Sequence, residues 1–156
     1  MRIHICAVGR LRSGSEKTLI DDYITRFDRT GRALGLGPAR VVEVEDKKNA
    51  GMGAEAALLR KALPKGALLC TLDERGKLLT SPEFSQKLAG WRDGGRQDLA
   101  FVIGGADGID PGLRAEADFS ISFGKMVWPH MMVRLMLTEQ IYRAATILAG
   151  SPYHRS

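Results

Sequence analysis

Residues 98–105 read DLAFVIGG, an apolar run that ends on paired glycines. Consecutive apolar residues put hydrophobic side chains on both faces of a strand. Such a strand has to be covered on both sides, the condition met inside a parallel sheet sandwiched by helices. This stretch excludes an antiparallel sheet with one wet face and fixes the class of fold the rest of the chain must supply.

The remaining segments supply it. Arg2–Val8 reads as a strand ending at Gly9. Residues 16–34 place Leu19, Ile20, Tyr23, Ile24 and Phe27 at helical spacing. ARVVEVED is a second strand, AGMGAEAALLRKAL a helix stopped by Pro64, and GALLCTLDE (66–74) a third strand. Ser81, Pro82 and Glu83 predict a helix start, with Ser81 offering the capping oxygen, and that helix runs to about Asp93. After the central strand come a short helix behind Pro111, the strand DFSISFG, and a long helix from Pro129 to near Gly150. Strand and helix alternate throughout, so the prediction is one α/β domain over 1–156, a mostly parallel sheet flanked by helices. Ligands of such sheets bind at the carboxyl ends of the strands, where Asp73, Gly104 and Gly124 fall.

Composition narrows the function. The net charge of +5, without any block of like charges, favours an acidic partner such as nucleic acid on a basic face assembled by folding. Cys6 and Cys70 lie inside apolar runs and read as small buried hydrophobes in a reducing compartment. No CxxC occurs and His4, His130 and His154 are scattered, so no metal site is expected. No apolar stretch approaches the length that crosses a bilayer, and a cytoplasmic location without membrane contact is expected.

Four segments could carry chemistry. TLDERGK (71–77) taken alone reads as a strand entering a turn closed by Gly76. GGADGID (104–110) gives a ligand access to backbone but lacks the GxGxxG fingerprint. FGKMVWPHMMVR (123–134) joins a loop with Lys125 and Trp128 to a helix start bearing His130 and Arg134 on one face. SPYHRS (151–156) gathers side chains that stack, hydrogen-bond and pair with phosphate.

Together TLDERGK, FVIGGADG, SFGKMVWPHMMVR and EQIYRAATILAGSPYHR, in this order and spacing, resemble the RlmH family of the SPOUT superfamily, the large-subunit rRNA pseudouridine methyltransferases. The resemblance runs from IHICAVG to the C-terminus, and residues 30–52 carry no diagnostic motif. It implies a SPOUT fold with a deep trefoil knot in the C-terminal half. It also implies a homodimer that uses S-adenosyl-L-methionine to methylate ring nitrogen 3 of a pseudouridine in 23S rRNA of assembled ribosomes. The implied cofactor pocket is Leu72, Gly104, Phe123, Gly124, Lys125, Met126, Val127 and Trp128. Catalysis is expected of Tyr153, His154 and Arg155, with His154 the first candidate for proton acceptor and a phosphate, water or Glu139 the alternatives. RNA contacts are expected from Arg134, Arg143, Tyr153, His154 and Arg155. The competing readings are a SPOUT enzyme acting on tRNA or a ribose hydroxyl, a non-catalytic ribosome-binding factor, and a flavodoxin-like nucleotide binder.

Overall fold

A computed structural model describes residues 1–155. The strands are β1 (Arg2–Val8), β2 (Ala39–Val44), β3 (Leu68–Leu78), β4 (Asp98–Ile103) and β5 (Phe119–Ser122). Around them lie α1 (Ser15–Gly31), α2 (Met52–Ala62), α3 (Ser81–Asp93), α4 (Pro111–Ala115) and α5 (His130–Ala149). The order across the sheet is β2-β1-β4-β3-β5, and every neighbouring pair is parallel.

The doubly apolar run is the central strand β4, as its pattern requires. Its Leu99, Phe101 and Ile103 join Ile3 and Ile5 of β1 in a core under α1, α3 and α5, which contribute Phe27, Leu88 and Leu137. Val102 points the other way, with Cys6, into a smaller core under α2 and α4 that holds Leu59 and Leu113. Each fully buried aliphatic or aromatic side chain contributes about 1.5–3 kcal/mol. Both faces of the sheet are therefore anchored independently.

Two local expectations are corrected. Gly76 does not close a turn: β3 continues past it to Leu78, and its pairing with β5 breaks register between Leu72 and Lys77. Gly76 is glycine because a Cβ there would stand 2.6 Å from the backbone carbon of Ile121. The cap of α3 is Thr80, whose Oγ1 accepts from the Glu83 N–H at 3.2 Å; Ser81 instead donates to Gln140 on α5. Either hydroxyl satisfies the sequence rule, and the backbone entering α3 selects the earlier one.

The chain leaves β5 at one edge of the sheet. By Arg134 it is bonded to Glu43, Val8 and Gly9 at the carboxyl ends of β2 and β1. Residues 123–129 therefore cross the carboxyl ends of β3 and β4, the passage expected of a knotted C-terminal half. Among the described residues no helix is long and apolar enough to cross a membrane.

Candidate functional site

The crossing segment encloses a cleft of about 980 Å³ at the carboxyl ends of β3, β4 and β5. Leu72, Gly104, Phe123, Gly124, Met126, Val127 and Trp128 all line it, and Lys125 of the predicted set does not. Lys125 is exposed and sits outside the wall. Ile103, Ile109, Ile121 and Val133 complete an apolar side suited to a flat aromatic group. Asp73, Glu74, Arg75, Asp107 and Arg114 make the polar side.

The glycines of the 104–108 turn have a reason more specific than ligand access. A Cβ on Gly104 would lie 2.5 Å from the carbonyl oxygen of Gly108, and one on Gly105 would lie 2.7 Å from Glu55 Oε2. The turn folds back on itself through the Gly108 N–H to the Gly105 carbonyl at 3.0 Å, with Gly108 at φ +86. It also packs against the first turn of α2. Burial, aided by Asp46 and Asp107, raises the Glu55 carboxyl above its ordinary range. Across the cleft, Gly124 adopts φ +119, and its N–H donates to Ser122 Oγ at 3.1 Å, so the second loop is fixed by its own backbone.

His130 opens α5 on the cleft wall, beside Gly9. Its Nδ1 is buried without a partner, and burial together with the nearby Arg134 cation pushes its pKa down. Arg134 corrects an expectation: its side chain is 1% exposed, its Nη1 donates to Glu43 Oε2 at 2.7 Å, and its Nη2 donates to the Gly9 carbonyl at 3.1 Å. A guanidinium buried this way is not presented to RNA, although its Nε has no partner. It ties the start of α5 to the loop after β1, and Glu43 fixes that loop further by accepting from the Leu11 N–H.

The remaining candidates gather elsewhere. Tyr153 OH donates to Glu139 Oε1 at 3.0 Å, and the Arg143 guanidinium both grips Glu139 and lies 4.8 Å from the Tyr153 ring. Burial and hydrogen bonds with Tyr23 and Glu139 raise the Tyr153 pKa, so the phenol stays protonated. Arg143 Nη1 lies 3.2 Å from His154 Nδ1. A guanidinium only donates, so Nδ1 accepts and the neutral ring carries its proton on Nε2. His154 in this arrangement offers a donor; serving as proton acceptor requires release from Arg143. Glu139 already accepts from Arg143, Tyr153 and Gln140. Arg155 is exposed.

Arg143 lies thirteen residues beyond His130 on α5, about 20 Å at 1.5 Å per residue. The tail cluster thus stands well along α5 from His130, while its Glu139 lines a second pocket together with Phe123 and Gly124 of the cleft wall. Sequence reasoning gave no role to the Asp73–Arg114 contact or to Glu43 and Glu55. Their partners lie tens of residues away, so no local spacing could reveal them.

A family model described as "Predicted SPOUT methyltransferase" matches residues 1–154. The chain belongs to the SPOUT methyltransferase family. Among its relatives, a protein named "Ribosomal RNA large subunit methyltransferase H" from a Ruegeria species is 86% identical over 155 residues, covering 99% of each chain. The protein of the same name from Roseobacter denitrificans is 76% identical over the full length of both chains. A methylase-family structure from Haemophilus influenzae aligns at TM-score 0.51 and 14% identity, covering 99% of this chain and 70% of its own. That last likeness concerns fold alone.

Proposed function

We propose that this protein methylates ring nitrogen 3 of a pseudouridine in 23S rRNA, using S-adenosyl-L-methionine, as a homodimer acting on assembled ribosomes. The observation that carries the reading is the convergence of the β3 irregularity after Leu72, the Gly104 turn and the Phe123–Trp128 segment on one cleft. Relatives 86% and 76% identical, named as large-subunit ribosomal RNA methyltransferases, support the substrate class.

The residues fit the cofactor. Leu72, Ile103, Val127 and Trp128 offer an apolar slot for adenine, and the Gly104 and Gly124 turns expose main-chain groups at its edge. The cofactor supplies an electrophilic methyl on a sulfonium. The protein's task is to hold the acceptor nitrogen in line with that methyl and to exclude water. Loss of the N3 proton spreads negative charge onto the flanking carbonyl oxygens. The Nε2–H of His154 and Arg155 are donors suited to that charge, with the Tyr153 hydroxyl holding the cluster together through Glu139 and water taking the proton. Arg143 positions His154 and Tyr153.

In this reading the tail that completes the cleft comes from the second subunit of the homodimer. Labelled cofactor supplied with intact ribosomes, free rRNA and tRNA tests the reading. Label is expected in the large-subunit rRNA of intact ribosomes. Label in tRNA alone would assign a different SPOUT substrate, and no calorimetric response to cofactor would leave a ribosome-binding module.

A further inference from the structure

The polar side of the cleft contains a cation with spare donors. Arg114 projects from α4, whose backbone is fixed on both sides. Asp110 caps the helix by accepting from the Gly112 and Leu113 N–H groups, and Leu113 is fully buried. The side chain of Asp73, 7% exposed, accepts the Arg75 N–H through Oδ1 at 2.8 Å and holds its Oδ2 3.0 Å from Arg114 Nε. The Arg114 Nε–H is nevertheless not directed at that oxygen and is left without a hydrogen-bond partner in a buried position. The hydrogen bond recorded for this guanidinium is a long one, from Nη2 to the Ile109 carbonyl at 3.4 Å. A guanidinium has five donors, and a buried unmet donor costs about 1–3 kcal/mol. The arginine is therefore held in place, 29% exposed and under-used, in the wall of the cleft.

S-adenosylmethionine has one anionic group, the carboxylate of its amino-acid end. A carboxylate is the planar, two-oxygen partner that a guanidinium fork binds best. The positive sulfonium is repelled from the same spot. Arg75, the other arginine of the lining, stands on the exposed β3 irregularity and has no comparable buttress.

We propose that Arg114, oriented by Asp73, anchors the carboxylate of the cofactor's amino-acid end and so sets which way the bent cofactor lies in the cleft. The inference rests on the cofactor reading above. It separates two ligands that share adenosine. S-adenosylhomocysteine carries the amino-acid end; 5′-methylthioadenosine lacks it.

Calorimetric titration of the intact protein with both ligands tests this. Arg114→Gln is expected to weaken S-adenosylhomocysteine at least tenfold while leaving 5′-methylthioadenosine within twofold, and Arg114→Lys to recover part of the lost affinity. Equal weakening of both ligands, or of neither, would overturn it. Restoration of S-adenosylhomocysteine affinity by the double variant Asp73→Asn, Arg114→Gln would also overturn it, because the loss would then come from an unpaired Asp73. If the unaltered protein binds neither ligand, the cofactor reading falls and this inference with it.

Discussion

The two ends of the sheet are built on opposite plans. At the amino end, Asp98 of β4 accepts from Arg2 of β1 at 2.8 Å and contacts His4 Nε2 at 2.8 Å, and Arg40 of β2 donates to His4 Nδ1 at 2.8 Å. The imidazole is used on both sides, and three strands are locked in register by one network. At the carboxyl end the same strands open into glycine turns, Met126 and Val127 are 74% and 85% exposed, and Nδ1 of His130 and Nε of Arg114 are unmet. One end supplies rigidity and the other tolerates unmet groups that a ligand can satisfy. The lesson is a division of labour within single strands: β1 and β4 each carry a clamp at one terminus and lead into the site at the other.

Changes at the open end should move activity more than stability. Removal of Tyr153–Ser156 gives the largest effect, methyl transfer to ribosomes falling to background while the calorimetric cofactor affinity stays within twofold. Loss of both together would place the tail in the fold. Next comes Gly104→Val, which drives a side chain into the Gly108 carbonyl. Cofactor affinity and transfer are expected to drop by about 100-fold, of the order seen when a site is misplaced by 1 Å. A far-UV spectrum indistinguishable from the parent would confirm that the turn alone is affected.

Changes at the closed end should do the reverse. Asp98→Asn removes a carboxylate hydrogen-bonded to Arg2 and His4 and should cost about 1.5–3 kcal/mol. A loss of that size lowers the melting temperature by roughly 3–12 °C in a chain of this length, with transfer at 25 °C unchanged. A loss of activity in the folded variant would break the comparison.

The same residue sets an acid signature. The hydrogen bonds from Arg2 and His4 hold the Asp98 carboxyl below its ordinary value in the folded state. Its stabilising contribution is therefore complete above the unfolded pKa, about 3.9, and disappears as pH falls through the folded pKa. Melting temperatures followed downward from pH 6 should decline more steeply for the parent than for Asp98→Asn. The smallest effect is ionic. Transfer should weaken with salt more steeply than cofactor binding does, because phosphate contacts release counterions. Parallel salt curves would remove the basic tail as an RNA contact.

The sequence disclosed whatever is written in local periodicity. The doubly apolar β4, the amphipathic α1 and the turns at Gly104 and Gly124 were all legible because neighbours along the chain determine them. The reach of β3 past Gly76 was hidden because the space constraint comes from Ile121 on another strand. Arg134 gave the opposite error. An arginine one turn into a helix looks solvent-directed from spacing alone, and only its partner at Glu43, far earlier in the chain, turns it inward. The separation of the tail cluster from His130 was likewise invisible, since resemblance groups residues by role and the helix between them sets how far apart they stand.

The crossing segment has a consequence for biosynthesis. The crossing segment and the start of α5, residues 123–134, are translated after all five strands, and the docking partners of Arg134 at Val8, Gly9 and Glu43 lie early in the chain. A nascent chain can assemble much of its sheet early, yet it cannot complete the cleft until its last helix has emerged. Contacts so distant in sequence slow the final folding step. Prematurely terminated products therefore lack a finished binding site and cannot compete with the mature protein for its cofactor.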